Sequence, residues 1–234
     1  MALLANRNHT IQLVYCGPLG SGKTTNLRRL AAWLPDRFRS RLLTVDSPVR
    51  RTAGDDSSTQ CFDLLPIVLD TDQGRLKLRL ISVPGNRMYE PVRRLLLRGA
   101  DGVVFVADGT LPQEENQKSF AELRTSLREN GRVPDSMPLV IQLNKSDASA
   151  PKTSVEQAQA LCCERSDVAV IPACAERGTG VAQTVLHLMR MVWPTALHEH
   201  ESLASLGLDL PQMLGRLRLR LQVRDDELLG GDTP

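Results

Sequence analysis

Short apolar runs alternate along the chain with longer amphipathic segments. The apolar runs lie at residues 11–16, 42–45, 61–69, 76–83, 103–107, 139–143 and 168–171. Several are apolar at consecutive positions, which is typical of strands buried on both faces of a sheet. The amphipathic segments have helical spacing and lie at residues 23–34, 88–98, 112–130, 153–165 and 180–192. Because strands and helices alternate, the pattern predicts a three-layer α/β domain with a mostly parallel sheet.

Two segments interrupt this alternation. The runs at 61–69 and 76–83 follow one another without a helix between them, so they can form a hairpin across the polar residues 72–74. Residues 46–58 are polar, contain proline and glycine, and show no hydrophobic period. We therefore expect an exposed and mobile loop over residues 46–58.

The last part of the chain has a different character, and we predict one domain over residues 1–195 followed by an extension over residues 196–234. Within the extension, Asp209 and Gln212 have the spacing of a capping box, and leucine and methionine then recur at helical intervals. The sequence RLRLRLQV at 216–223 also alternates as a strand would. The pattern favours a helix, and it favours packing back on the domain over lying on an anionic membrane or docking a partner.

Composition narrows the class of protein. The length of 234 residues fits one main domain, and a formal net charge of +2 argues against a broad basic surface for nucleic acid. Five cysteines without CxxC spacing argue against a disulfide framework and against a zinc site. No signal sequence and no long apolar segment stand out, so we expect a cytoplasmic protein.

The sequence GPLGSGKT at residues 17–24 matches the pattern GxxxxGK[ST] between a predicted strand and a predicted helix. Its glycines allow backbone N–H groups to turn inward around phosphate oxygens, and the start of the helix adds positive potential. We expect Lys23 to reach the β- and γ-phosphates and the Thr24 hydroxyl to bind Mg²⁺. The predicted phosphate-binding residues are Gly17, Pro18, Leu19, Gly20, Ser21, Gly22, Lys23, Thr24 and Thr25. The alternative, a structural glycine-rich turn, is disfavoured by this strand and helix context.

A second motif, NKSD at residues 144–147, follows another buried strand and should lie at the same edge of the sheet. The Asp147 carboxylate can accept two hydrogen bonds from N1–H and the amino group of guanine, whereas adenine offers no matching pair of donors. Alone, these four residues are typical of an ordinary turn. Together with the phosphate loop they predict guanine recognition, and they disfavour a P-loop ATPase or a small-molecule kinase.

With these two motifs, the segments TQCFDLLP at 59–66, SVPGN at 82–86 and LRGADGVVFVAD at 97–108 resemble a Ras-like small GTPase. More narrowly, they resemble the MglA-type bacterial branch of polarity and gliding-motility switches, over about residues 10–193. The resemblance implies a Ras-like G domain of the P-loop NTPase fold that binds GTP and GDP with Mg²⁺. It also implies a roadblock-type dimer as activator and effectors that bind the GTP state.

The resemblance assigns roles to further residues. Thr59 would bind Mg²⁺ together with Thr24, and the N–H of Gly85 would sense the γ-phosphate. Cys174 and Ala175 would form a second guanine loop, in which the Ala175 N–H contacts the guanine carbonyl. The nucleotide-binding residues beyond the phosphate loop are therefore Gly85, Asn144, Lys145, Asp147, Cys174 and Ala175.

Three positions depart from the usual pattern of the family. Ser82 stands where small GTPases generally carry an aspartate that holds a Mg²⁺-bound water. Asn86 stands where Ras-like enzymes carry the glutamine that orients the attacking water. Ser58 stands where the MglA-type branch can carry an arginine finger, directly before the switch threonine. Arg50 and Arg51 are the nearest candidates to replace that arginine finger. We expect a partner-regulated switch with slow intrinsic GTP hydrolysis; the alternative is a nucleotide-dependent binding module with negligible hydrolysis. The predicted catalytic residues are Lys23, Asn86, Arg50 and Arg51.

Overall fold

The computed structural model describes residues 8–35, 42–46, 60–85, 89–162, 165–199 and 201–223. Its strands are β1 Asn8–Cys16, β2 Leu43–Asp46, β3 Gln60–Thr71, β4 Gly74–Ser82, β5 Gly102–Asp108, β6 Leu139–Asn144 and β7 Val170–Pro172. Its α-helices are α1 Lys23–Trp33, α2 Glu90–Arg98, α3 Gln113–Glu129, α4 Val155–Gln159, α5 Val181–Glu199, α6 Glu201–Ala204 and α7 Leu210–Leu221. A single 3₁₀ turn, Ala160–Cys162, follows α4.

The strands form one seven-stranded sheet in the order β2-β3-β4-β1-β5-β6-β7. Strand β1 lies in the middle and pairs in parallel with β4 and β5, and parallel pairing continues to β6 and β7. Strands β2, β3 and β4 pair antiparallel, and Thr71 opposite Gly74 closes the β3–β4 hairpin around a two-residue turn. The predicted mostly parallel sheet and the predicted hairpin are both confirmed.

Helices cover both faces of the sheet, which completes the predicted three-layer α/β fold. On one face, α1, α5 and α7 pack over the buried side chains of β1, β3 and β4. On the other face, α2, α3 and α4 pack over β5 and β6, where the rings of Phe105 and Phe120 meet edge to face at 5.0 Å. Strands β5 and β6 are buried along their whole length because helices lie on either side of them.

Helix α5 is longer than the hydrophobic period alone predicts. The pattern predicts an end at residue 192, yet the helix continues through Pro194 to Glu199. Trp193 and Ala196 are almost fully buried in the core, so packing of the apolar face continues past the proline. The predicted boundary between residues 195 and 196 consequently falls inside a continuous helix. None of the described helices is both long and apolar enough to cross a bilayer.

Helix α7 forms most of the described extension and begins with the predicted capping box. The Gln212 N–H donates to Asp209 Oδ1 at 2.7 Å, and the Asp209 N–H donates to Gln212 Oε1 at 3.1 Å. The strand alternative for residues 216–223 is wrong, because helix α7 continues to Leu221. The apolar face of α7 packs against α5 and β3 and joins the main core, as Met213, Leu214, Leu217 and Leu221 are buried there.

Candidate functional site

The phosphate loop joins β1 to α1, as the sequence predicts. Gly17, Gly20 and Gly22 all have positive φ angles, of 140°, 76° and 96°. A Cβ at residue 17 would collide with the carbonyl oxygen of Val106, and one at residue 22 would collide with the side-chain amide of Asn144. The loop therefore requires glycine at both positions, for backbone conformation and for space.

Lys23 is the first residue of α1, and its ammonium group folds back under the loop. Its Nζ donates to the carbonyl oxygens of Gly17 at 3.0 Å and Pro18 at 2.6 Å. The side chain is buried, and burial lowers the pKa of Lys23 to about 8. A phosphate anion at this loop would favour the charged form, because an opposite charge nearby raises the pKa of an amine.

A buried carboxylate that the sequence analysis did not single out lies beside the first turn of α1. Asp63 Oδ2 accepts hydrogen bonds from Thr24 Oγ1 at 2.6 Å and from Ser82 Oγ at 3.1 Å. Its other oxygen accepts one from Thr44 Oγ1 at 2.9 Å. Asp63 lies on β3 directly opposite Ser82 on β4, which places the carboxylate next to the position where the usual aspartate is missing.

The chemistry of this cluster fits a magnesium ion. Mg²⁺ binds oxygen ligands, usually one or two carboxylates or hydroxyls together with water and phosphate. Asp63, Thr24 and Ser82 bring a carboxylate and two hydroxyls together, and the two hydroxyl oxygens are 3.3 Å apart. The sequence signal for Asp63 is a single charged residue among the apolar residues 61–69, which periodicity by itself does not distinguish from a solvated position.

Asn144 connects the phosphate loop with the two predicted guanine segments. Its Nδ2 donates to the carbonyl oxygen of Ser21 at 2.7 Å, and its Oδ1 accepts from the Ala175 N–H at 2.8 Å. Ala175, which the resemblance assigns to the second guanine loop, is thus bonded to the same side chain that contacts the phosphate loop. Cys174, its neighbour in the second guanine loop, is buried.

The two charged residues of the NKSD motif are each paired with another side chain. Lys145 has a positive φ of 60°, and its Nζ lies 2.6 Å from Oδ2 of Asp108, a buried residue at the end of β5. Asp147 Oδ2 lies 3.3 Å from Nε of Arg177 in the loop after β7. Asp108 and Arg177 are partners that the sequence analysis did not identify. Asp108 ends β5 and Arg177 lies in the loop after β7, whereas the motif begins at the end of β6.

A cavity of about 270 Å³ opens between the phosphate loop and the ends of β3 and β4. It is lined by Leu19, Gly20, Gly22, Lys23, Thr24, Thr25, Phe62, Asp63, Ser82, Val83, Pro84 and Gly85. Gly85 packs so tightly against the loop that a Cβ would collide with the backbone of Leu19. The structure thus brings the predicted γ-phosphate sensor next to the predicted phosphate loop.

Several predicted site residues lie outside the described part of the chain. Arg50, Arg51, Ser58 and Thr59 fall within residues 47–59, and Asn86 falls within residues 86–88. Their predicted roles in catalysis and metal binding stay predictions. The exposed loop expected at 46–58 lies outside the described residues except at Asp46, the last residue of β2.

Comparison with known proteins agrees with this geometry. The Mutual gliding-motility protein MglA of Myxococcus xanthus is 33% identical over 190 residues, covering 80% of this chain and 93% of the relative. The GTP-binding protein ypt4 of Schizosaccharomyces pombe is 25% identical over 189 residues, covering 79% and 72%. The Ras-related protein Rab-9A of Homo sapiens is 24% identical over 197 residues, covering 82% and 87%.

A profile of the Ras family matches residues 50–193, which is more than half of the chain. The matched region includes β3, β4 and the NKSD motif, and the alignments with the relatives cover most of the chain. The chain therefore belongs to the Ras family of small GTPases, in the MglA-type bacterial branch.

Proposed function

We propose that this Ras-family GTPase is a cytoplasmic switch that hydrolyses GTP slowly by itself and is regulated by a protein partner. The observation that supports it most is the placement of two recognition elements at one sheet edge. The phosphate loop follows β1 and the NKSD motif follows β6, and Asn144 hydrogen-bonds the two together. One ligand with a phosphate tail and a guanine base would span them.

The phosphate loop would bind the nucleotide by an exchange of hydrogen-bond partners. Lys23 now donates to two loop carbonyls, and phosphate oxygens would replace these as stronger, charged acceptors. The N–H groups of the loop and of the start of α1 would donate to the same phosphates. This exchange costs little conformational entropy, because the buried Lys23 side chain is already held in place.

Thr24, Asp63 and Ser82 would hold Mg²⁺, directly or through water, and Thr59 would join them from outside the described residues. Bound there, the ion would neutralise charge on the β- and γ-phosphates. Asp63 would supply the carboxylate that Ser82 lacks, because it lies on the neighbouring strand directly opposite Ser82. We therefore expect this protein to use Mg²⁺ although the usual aspartate position carries a hydroxyl.

Asp147 would read the base by accepting two hydrogen bonds from guanine. In the structure this carboxylate pairs with Arg177, an exposed residue, at 3.3 Å. An exposed ion pair of this kind contributes only about 0–1 kcal/mol, so guanine would displace Arg177 readily. Lys145, held by Asp108, would keep the start of the motif in its left-handed conformation.

Slow hydrolysis is proposed from the side chains available to activate water. Asn86 is one methylene shorter than the glutamine that orients water in Ras-like enzymes, and Ser58 replaces a built-in arginine. Arg50 or Arg51 would then act as the finger, or a partner such as a roadblock-type dimer would arrange the loop. If the double alanine variant of Arg50 and Arg51 keeps full partner-stimulated turnover, these arginines are not the finger.

Single-turnover phosphate release by the purified full-length chain tests the proposal. We expect slow release by the wild-type protein and a rise of about ten- to a hundredfold in Asn86→Gln, since better placement of a reacting group has effects of this size. Asn86→Ala is the matched control and should stay slow. Fast release by the wild-type protein alone would contradict slow hydrolysis.

The second candidate function is a binding module that displays one of two shapes and hardly hydrolyses GTP. The replacement of glutamine by Asn86 motivates this second function as well. Which partner the module binds would depend only on whether GDP or GTP is bound. Complete resistance to hydrolysis in extended assays, with Asn86→Gln also inactive, would favour this module. Stimulation of release by a partner would favour the enzyme.

A further inference from the structure

Three buried polar side chains form one hydrogen-bonded chain across the core. Gln142 on β6 lies at its centre, between Asn26 on α1 and Thr184 on α5, and all three residues are 0% exposed. Gln142 Oε1 accepts from Asn26 Nδ2 at 2.8 Å. Gln142 Nε2 donates to Asn26 Oδ1 at 3.0 Å and to Thr184 Oγ1 at 2.9 Å. We call these three residues the Gln142 bridge.

The two ends of the Gln142 bridge fix the direction of every hydrogen bond in it. Thr184 Oγ1 donates its only hydrogen to the carbonyl oxygen of Gly180 at 2.6 Å, so it can only accept from Gln142. Asn26 Nδ2 donates its second hydrogen to the carbonyl oxygen of Gly22 at 3.0 Å. Each N–H and O–H of the three side chains therefore has an acceptor. A buried polar network that is satisfied in this way holds a single arrangement.

The two ends of the bridge are attached to two loops of the nucleotide site. Gly22 belongs to the phosphate loop, and its carbonyl oxygen also accepts the backbone N–H of Asn26. Gly180 lies at the end of the loop between β7 and α5, which contains Ala175. A Cβ at residue 180 would collide with the carbonyl oxygen of Pro172, so this end is closely packed as well. The bridge thus connects the phosphate loop with the β7–α5 loop through the middle of the domain.

Asn144 makes a second connection of the same kind from the same strand. Side chains two positions apart on a strand lie on the same face of the sheet, so Gln142 and Asn144 are neighbours on one face of β6. Asn144 joins the carbonyl oxygen of Ser21 to the N–H of Ala175. Strand β6 therefore links the two loops through two amide side chains, one at its end and one in the core.

Stability alone does not account for polar residues at these positions. The core residues around them on α1, β6 and α5 are apolar. Replacing all partners of a buried hydrogen-bonded group by apolar side chains of the same shape is often nearly neutral for stability. What the polar groups add is a fixed orientation and a fixed separation of the elements that they join. The Gln142 bridge therefore fits a role in the geometry of the site.

We propose that the Gln142 bridge sets the separation of the phosphate loop and the β7–α5 loop, and thereby contributes to the preference for guanine. Asn26, Gln142 and Thr184 are positioning residues, because they act on the nucleotide through these loops. Guanine would donate two hydrogen bonds to Asp147 only when the anchored phosphates leave the base at the right distance from that carboxylate. The proposal rests on the proposed function, because it needs a guanine nucleotide bound across the two loops.

The experiment uses the full-length chain and two nucleotides that differ in one amino group. Inosine diphosphate has the phosphates of GDP but lacks the amino group that would donate to Asp147. The ratio of the two dissociation constants, measured with Mg²⁺, therefore reports how well the base is held. Thermal unfolding without nucleotide reports stability. A merely structural role would change the unfolding midpoint and leave the ratio unchanged.

The first variant, Thr184→Val, keeps the shape of the side chain and removes one acceptor of Gln142. We expect its preference for GDP over inosine diphosphate to fall about tenfold, which is the scale of one hydrogen bond to a charged group. Thr184→Ser keeps the hydroxyl and should keep the preference. Thr125→Val is the matched control, because Thr125 Oγ1 also donates to the carbonyl oxygen four residues earlier, at 3.0 Å, but is exposed on α3. It should not change the preference.

A second variant replaces the whole bridge by apolar side chains of similar size: Asn26→Leu, Gln142→Met and Thr184→Val combined. It leaves no polar group of the bridge unpaired, so its nucleotide-free midpoint should lie close to that of the wild type and above that of Thr184→Val alone. Its preference for GDP should fall at least as far as that of Thr184→Val. A gain in stability together with a loss of selectivity is expected only of positioning residues.

Two results would overturn the proposal. One is a preference for GDP in Thr184→Val equal to that of the wild type, which would make the bridge structural. The other is an equal loss of preference in Thr184→Ser, because the hydroxyl would then not be the group that matters. Both comparisons remain decisive if the combined variant does not fold. A wild-type chain that binds neither nucleotide, or binds both equally, is a different outcome, because it removes the proposed guanine recognition itself.

Discussion

At the scale of single residues, the site is built from polar groups that are buried and hydrogen-bonded to one another. Lys23, Asp63 and Asn144 are each buried, and each makes at least two hydrogen bonds. Burial and these hydrogen bonds fix the side-chain positions, and burial also lowers the pKa of Lys23. Both effects can be measured.

The first prediction concerns pH and Lys23. Its pKa falls from 10.5 to about 8 on folding, so between these values the unfolded chain binds more protons than the folded chain. Lys23 alone therefore makes the nucleotide-free protein more stable as pH rises from 8 to 10.5, by about 3 kcal/mol. Below pH 8 the contribution is constant, because both states are protonated.

The measurement is denaturant unfolding of wild type and Lys23→Met across this range. Burial raises the pKa of Tyr15 and Cys16, and this opposes the Lys23 effect because the unfolded chain loses those protons first. The difference between wild type and variant removes this common background. A difference that does not change with pH would show that Lys23 is not charged and desolvated as described.

The second prediction concerns Asp63 and magnesium. Asp63→Asn keeps the size of the side chain and removes the negative charge, so the Mg²⁺ concentration that half-saturates the GDP complex should rise about tenfold or more. GDP binding in the presence of a chelator should change much less. Thr44→Val is the control, because Thr44 bonds the far oxygen of the same carboxylate. An unchanged Mg²⁺ requirement in Asp63→Asn would exclude Asp63 from the metal site.

At the scale of elements, each strand and helix of the domain was predictable from hydrophobic period, but some ends were not. Burial on both faces makes β5 and β6 apolar at consecutive positions, and the hairpin turn is marked by polar residues. The end of α5 was missed because a proline usually ends a helix, whereas here Trp193 and Ala196 continue the buried face. The hydrophobic pattern of the sequence identifies apolar positions, but it does not predict which residues they pack against.

The same limit applies to the site. The phosphate loop and the NKSD motif were predictable because local chain geometry demands particular residue types there. Asp63, Asp108 and Arg177 act through residues on other strands or loops, and only the folded sheet shows these pairings.

The third prediction tests how α7 is attached. Leu217 is fully buried in the core, so Leu217→Ala should lower the free energy of unfolding by about 2–5 kcal/mol. Leu219, two residues further along, is 79% exposed. Leu219→Ala should therefore change the free energy of unfolding by less than about 0.5 kcal/mol. Denaturant unfolding of both variants gives the comparison. Equal effects would show that α7 does not pack as described.

At the scale of the whole molecule, the extension completes the core of the domain. The buried face of α7 meets α5 and β3, and Arg216 Nη1 donates to the carbonyl oxygen of Asp70 at 2.8 Å, near the tip of the hairpin. Arg220 Nη2 lies 3.4 Å from Oδ2 of the same residue. The buried apolar face of α7 is therefore occupied by the domain itself.

The fourth prediction concerns removal of the extension. A chain that ends at residue 199 keeps α5 whole but exposes the core under α7, and its thermal midpoint should fall by about 10 °C or more. A chain that ends at residue 223 is the matched control: it keeps α7, so its midpoint should lie above that of the shorter chain. If the shorter chain unfolds at the same temperature, residues 1–195 form an independent domain as the sequence pattern predicts.

The side-chain amide of Asn144 bonds both the phosphate loop and the loop that contains Ala175. Its amide donates to the phosphate loop and accepts from the loop at the base end, so both hydrogen bonds depend on the orientation of a single planar unit. With nucleotide bound as proposed, a substitution of Asn144 would disturb base recognition and phosphate binding at the same time. In the course of divergence, nucleotide specificity and nucleotide affinity would therefore be inherited, and lost, together.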